Sequence, residues 1–389
     1  MSVTAPLGFA AAGGAAGIKA GGASDVAIVV TEDGRPVPAA GVFTANLAAA
    51  APVQVSRANL AASGGRAAGV ILTSGNANAA TGEAGRSAAR RLCAAVAEGV
   101  GATAEQILVC QTGLIGIPFP IEVVSPEIGP IVSARSSETE AADTAARAIM
   151  TTDTVPKQVV VRADDFVVGG MAKGAAMLAP NMATMLAVCT TDAAVDAATL
   201  RDALGVAVAQ SFNAISVDGC TSTNDTVLVL ASGRAGTPSS GALSAALSEA
   251  CGSLAQQMVA DAEGATKVAH VCVRGAESDE AAHRAARKVA ESMLVQCSLF
   301  GEDPYWGRIV SELGSAGTPF DVDRVSVAYG GVVVCAGGVA RAHDEGAVAA
   351  HMAGRHIQID CDLGLGPGQA VVLGTDLGYG YIDENRTTS

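Results

Sequence analysis

Short runs rich in β-branched residues alternate with alanine-rich amphipathic runs along the chain. VAIVV (26–30), AGVILTS (68–74), ILVCQ (107–111), QVVVR (158–162) and TVLVLAS (226–232) read as strands. So do VAHVCV (268–273), RVSVAY (324–329), VVVC (332–335) and HIQIDCDL (356–363). Helices are predicted over 85–98, 138–150, 197–211, 243–261 and 279–293. In the fourth, Leu243, Leu247, Leu254 and Met258 recur on one face. Asp196 and Ser240 are entry signals for the third and fourth helices. Several neighbouring strands alternate polar and apolar positions. That favours a sheet covered on one face over a wholly parallel sheet with its continuous apolar runs. The expectation is a layered α/β fold with substantial antiparallel sheet. No internal repeat is evident, and the Gly/Ser/Pro-rich pieces at 233–241 and 314–318 read as loops.

One stretch breaks the pattern. KGAAMLAPNMATMLAV (173–188) is apolar, yet Pro180 interrupts any helix, Asn181 adds a polar group and Thr184 interrupts strand alternation. Four of the nine methionines (Met171, Met177, Met182 and Met185) lie in or beside it.

Composition narrows the picture. The length, 389 residues, suits two domains at about 150 residues each. Half the residues are hydrophobic but only 3% are aromatic, so small side chains must fill the core. A net charge of −14 with no long Lys/Arg run repels a phosphate backbone, so no nucleic-acid partner is expected. Nine cysteines stand singly, without a CxxC or a Cys/His cluster; core roles, no zinc and a reducing compartment are expected. MSVTAPLGFAAAGG lacks a basic leader and a continuous apolar region, and no run of about 18 apolar residues suggests a membrane span. A soluble cytoplasmic protein is expected.

Common chemical templates fail. There is no GK dipeptide for a phosphate loop and no HExxH. GLGPG at 364–368 is not followed by a βαβ unit. The five histidines show no pairing with a serine. A threonine can act without histidine once it becomes an N-terminal residue, because its own α-amine then serves as base. That amine has a reference pKa of about 7.7–8.0, near neutrality. Ala183–Thr184 is an allowed cleavage site, since small Ala183 leaves its carbonyl open to attack, although spacing alone does not select it over a buried structural threonine.

Resemblance selects it. KGAAMLAPNMATML closely resembles the self-processing segment of the ornithine acetyltransferases, or bifunctional glutamate N-acetyltransferases. SGNANAATG (74–82), QTGLIGIP (111–118), AIMTTDTVPK (148–157), SFNAISVDGCTSTNDT (211–226), EGATK (263–267), DPYWGR (303–308) and YIDEN (381–385) agree, in family order, across nearly the whole chain. The resemblance implies an αββα-type sandwich of the N-terminal-nucleophile architecture. It implies self-cleavage into an α subunit (1–183) and a β subunit (184–389), assembled as α2β2. Thr184 would be the nucleophile that carries an acetyl group from N2-acetylornithine to glutamate. No cofactor and no metal is expected. Some members also accept acetyl-CoA, and the sequence leaves that open for this chain.

Site residues follow by matching motifs. Thr112, through its hydroxyl, and Gly113, through its N–H, would form the oxyanion hole. Lys173 would hold a substrate carboxylate, and Glu263 would meet a substrate amino group. One of Thr151 and Thr152 would reach substrate, as would Asn385 and a residue of the last turn, Ser389 or Thr388. Departures from the family pattern are Ala176 and Ala262 in place of glycine, Tyr305 in place of asparagine, and a tail one residue shorter without its aromatic residue. Two rivals remain: a self-processing amidohydrolase or aminopeptidase that gives the acyl group to water, and a scaffold without activity.

Overall fold

The computed structural model describes residues 2–177 and 185–386. They form two compact units, one of residues 2–177, 185–213 and 220–258, the other of 214–219 and 259–386. In the first unit the strands are β1 (Phe9–Gly14), β2 (Val26–Thr31), β3 (Val37–Phe43), β4 (Arg66–Ala67) and β5 (Gly69–Asn76). They continue with β6 (Ile107–Leu114), β7 (Lys157–Arg162), β8 (Val167–Lys173), β9 (Leu186–Thr191) and β10 (Thr226–Ala231). The helices are α1 (Ala51–Ala62), α2 (Gly82–Val100), α3 (Ile121–Ser133), α4 (Thr139–Ala148), α5 (Ala197–Gln210) and α6 (Ser240–Ala260).

Two sheets result. One runs β1-β2-β5-β6, and the other β4-β3-β10-β9-β8-β7. All neighbours are antiparallel except β5/β6 and β9/β10. The period of two in a strand explains the layering. Val26, Ile28 and Val30 of β2 point to a core shared with Leu92 and Val96 of α2 and Val124, Ile128 and Val132 of α3. Ala27 and Val29 point the other way, into a core with Met171, Leu186, Val188, Leu228 and Leu230 of the second sheet. The outer face of that sheet is covered in turn: Leu254 of α6 packs against Gly170 of β8, and α5 lies against β3 and β10. The order of layers is therefore helix, sheet, sheet, helix.

In this unit the expectation of a sheet covered on one face does not hold. VAIVVT of β2, LAVCTT of β9 and TVLVLA of β10 are buried at every position. A sandwich buries both faces of a strand, so antiparallel strands here read as continuous apolar runs.

The second unit does alternate. Its sheet, β14-β13-β12-β15-β11-β16, comprises β11 (Val268–Ala276), β12 (Ser326–Tyr329), β13 (Val332–Ala336), β14 (Val339–Ala340), β15 (His356–Asp362) and β16 (Gly368–Thr375). Val271, Val273, Ile357 and Ile359 face helix α7 (Asp279–Ala290), whose Ala282, Ala285, Ala286 and Val289 let it approach closely. Helices α8 (Met293–Phe300), α9 (Trp306–Gly314), α10 (Glu345–Met352) and α11 (Tyr379–Glu384) complete this unit. The predicted helix 279–293 ends early, at Ala290. Ser292 then caps a new helix by accepting the Val295 N–H. Asp196 caps α5 as expected, whereas at α6 the capping hydroxyl belongs to Ser239, not Ser240.

Strands β1, β3, β4, β8, β9, β14 and β16 and helices α1, α3, α8, α9, α10 and α11 escaped prediction. FAAAGG and VVGGMAK are too rich in alanine and glycine to signal a strand. α3 contains Pro126 and Pro130, which argue against a helix in sequence. Cys93, Cys110, Cys189, Cys251, Cys335 and Cys361 are buried, as expected of small core residues, while Cys220 and Cys297 are exposed. Among the described residues no helix is long and apolar enough to cross a membrane.

Candidate active site

The apolar run of β6 carries its chain end to Gln111, Thr112 and Gly113. Thr112 is buried, and Gly113 stands opposite Gly75 of β5. Gly113 has φ +133°, and a Cβ there would run into the Gly75 carbonyl carbon. Only glycine fits, so an N–H is presented with no side chain beside it. The turn after β5 is pinned from several sides. Asn78 donates to the Gly85 carbonyl (2.9 Å) and to Gln111 Oε1 (2.8 Å). Asn224 donates to the carbonyls of Ala77 (2.6 Å) and Gln111 (2.9 Å).

Lys173 closes β8 and is buried. Its Nζ lies 3.5 Å from Thr112 Oγ1, as donor, and 3.9 Å from Asp153 Oδ2. Asp153 is the organiser here. Its Oδ1 accepts from Lys157 Nζ and from the Gly174 N–H, both at 2.7 Å, and its Oδ2 accepts from the Thr151 N–H at 3.0 Å. Burial alone would raise this carboxyl's pKa, but Lys173 and Lys157 outweigh burial and hold it down to about 2. Both side chains of the Asp153–Lys157 pair are fully buried. Thr151 and Thr152 lie exposed on the turn that Asp153 fixes. The geometry brings three sequence-predicted residues together: Thr112, Gly113 and Lys173.

Lys173 is also in register with Leu186 of β9. Thr184 and Ala183 lie outside the described residues, but Thr184 stands two positions before Leu186 in the chain. The next residue, Met185, donates its N–H to Asp225 Oδ1 at 3.0 Å. Asp225 is fully buried, and its Oδ2 has no partner among the described residues. Burial pushes its pKa well above the usual carboxylate range, and the Met185 N–H and Lys173 only partly offset this.

Glu263 and Asn385 belong to the second unit. Far apart in sequence, they meet there: Asn385 Nδ2 donates to Glu263 Oε2 at 2.9 Å. Asn385 ends α11, and Gly264, at φ +63°, lets that helix approach, since a Cβ would meet the Tyr381 nitrogen. Thr388 and Ser389 lie outside the described residues. Sequence reasoning missed Asp153, Lys157 and Asp225. Two of them lie inside TTDTVPK, where a carboxylate four positions before a lysine, in an otherwise uncharged run, was a usable signal.

A model of the ArgJ family matches residues 10–387. The chain belongs to the ArgJ family. A relative from Mycolicibacterium paratuberculosis, named arginine biosynthesis bifunctional protein ArgJ, is 48% identical over 100% of this chain and 96% of its own length. One of the same name from Thermobifida fusca is 44% identical over the whole of both chains. Among solved structures, ornithine acetyltransferase complexed with ornithine, from Mycobacterium tuberculosis, is 45% identical. That match covers 46% of this chain and 94% of the other, with a TM-score of 0.44.

Proposed function

We propose that this ArgJ-family chain cuts itself between Ala183 and Thr184 and then transfers the acetyl group of N2-acetylornithine to glutamate, in arginine biosynthesis. The two products are an α chain of residues 1–183 and a β chain of 184–389, assembled as α2β2 in the cytoplasm. One observation supports the reading: Lys173, in register with Leu186 two positions after Thr184 in the chain, has its ammonium 3.5 Å from the Thr112 hydroxyl.

The reaction is a ping-pong exchange. The α-amine of Thr184 takes the hydroxyl proton, and Oγ1 bonds to the acetyl carbonyl carbon. The Thr112 hydroxyl and Gly113 N–H stabilise the oxyanion, at about 3–4 kcal/mol per preorganised donor. The carbon–nitrogen bond to ornithine breaks, and the departing nitrogen takes the proton back. Glutamate then attacks the acetyl ester with its α-amine, and N-acetylglutamate leaves as Thr184 regains its proton. Glu263, held by Asn385, offers a carboxylate for the substrate's amino group; one of Thr151 and Thr152, and Ser389 or Thr388, supply further contacts. The family resemblance leaves use of acetyl-CoA as acetyl donor to assay.

Glutamate dependence tests the reading. Ornithine release from N2-acetylornithine should require glutamate and yield one N-acetylglutamate per ornithine. Steady release of free acetate, unaffected by glutamate, would make the protein a hydrolase instead.

A further inference from the structure

The loop before β2 carries an ammonium group that the reading above leaves unused. Asp25 folds this loop by accepting three N–H groups, from Ala16 and Ile18 at 2.6 Å and Lys19 at 3.0 Å. Lys19 then sends its partly buried side chain across Gly75. Its Cγ lies 3.1 Å from where a Cβ of Gly75 would stand, and Gly75 is the register partner of Gly113. The Lys19 ammonium donates to the carbonyls of Met150 (2.6 Å) and Ser24 (3.0 Å). Met150 immediately precedes Thr151. An ammonium has three N–H donors, so one of Lys19's is without a partner among the described residues.

Charge bookkeeping supports a ligand. Lys19, Lys157 and Lys173 face Asp25, Asp153 and Asp225 in a chain of net charge −14, and burial favours the protonated form of Asp225. Lys157 is neutralised by Asp153, and Asp25 is occupied by backbone N–H groups. Burial, and the proximity of Lys173, push the Lys19 pKa down despite Asp25 and Asp153. The locale favours an anion.

We propose that Lys19 binds the substrate's α-carboxylate, acting beside Lys173 and setting the enzyme's preference for α-amino acids. The proposal rests on the acetyl-transfer reading. In both N2-acetylornithine and glutamate the acylated nitrogen and the carboxylate are attached to one α-carbon, two bonds apart. A carboxylate contact must therefore lie a few ångströms from the oxyanion donors. The Lys19 stem passes over Gly75, the register partner of Gly113, which puts its ammonium within a side chain's length of that pair. The δ-ammonium of ornithine and the γ-carboxylate of glutamate differ in sign, so one ammonium serves both substrates only at the shared α-carboxylate.

The test compares N2-acetylornithine with its decarboxylated analogue, N-acetylputrescine. Lys19→Gln keeps donors for the Met150 and Ser24 carbonyls but removes the charge. It should lower the kcat/KM ratio of carboxylated to decarboxylated donor by about tenfold or more, the size of a charged hydrogen bond. The loss should fall on KM for N2-acetylornithine and glutamate alike, and Lys19→Arg should restore most of the ratio. A merely structural lysine would weaken both donors equally. An active wild type with an unchanged ratio in K19Q overturns the proposal alone; a wild type that transfers no acetyl group overturns the reading beneath it as well. If K19Q does not fold, amine-reactive labelling of the wild type decides: N2-acetylornithine should shield Lys19, and saturating N-acetylputrescine should not. Equal shielding by the two overturns the proposal.

Discussion

Two buried carboxylates with opposite shifts define the site at the scale of single residues. Asp153 is held ionised by Lys173 and Lys157 at about 2, below its unfolded value near 3.8. It therefore contributes stability that is present above about pH 3.8 and is lost as pH falls toward about 2. Asp225 runs the other way. Its raised pKa favours the protonated form in the fold, so its contribution is full below its unfolded value and is lost as pH rises through the folded one. Urea unfolding across pH should show D153N losing the acid limb, with about 3–5 kcal/mol less stability at neutral pH because the buried ion pair with Lys157 is broken. D225N should instead flatten the loss on the alkaline side. At the oxyanion hole, Thr112→Val should lower kcat by about a hundredfold or more while KM changes little, since the hydroxyl is aimed at charge that develops only in the transition state. A rise in KM alone would remove Thr112 from that role. Thr112, Gly113 and Lys173 were legible because their motifs resemble the family's. Asp153 and Asp225 were not, because their importance comes from burial and from charges brought near by the fold.

The decisive element is the pair β8 and β9. Six residue pairs, from Val168↔Thr191 to Lys173↔Leu186, join them antiparallel. The proposed cut falls in the segment that connects them, so each product contributes a strand to the middle of one sheet. The fragments should therefore stay together after cleavage. They should separate under denaturing electrophoresis yet co-elute as one species on native gel filtration; separation without denaturant would contradict this strand pairing. Alternation and β-branched content made β2, β5, β6 and β11 readable. They could not reveal β8, whose VVGGMAK owes its strand to neighbours on both sides rather than to propensity. They also suggest a sheet with one covered face, which the second unit has and which the sandwich of the first, burying both faces of its strands, does not.

Across the whole molecule, the compact units and the proposed subunits divide the chain differently. The first unit contains strands from both sides of the proposed cut, so the proposed subunits do not coincide with the compact units. The layered architecture was anticipated, while this division was not, because it depends on which distant segments share a sheet. The overall charge of −14 also hides the lysines gathered around Asp153 and Asp25, since a sum over the chain says nothing about where charges of either sign meet. The account turns on a threonine made N-terminal by self-cleavage and acylated during turnover. Active protein, exposed briefly to isotope-labelled N2-acetylornithine without glutamate and analysed by mass spectrometry, tests it directly. The predicted result is a fragment beginning Thr-Met-Leu-Ala with one labelled acetyl group on its first residue, lost when glutamate is added. Full-length active chain, or label fixed on any other residue, would contradict it.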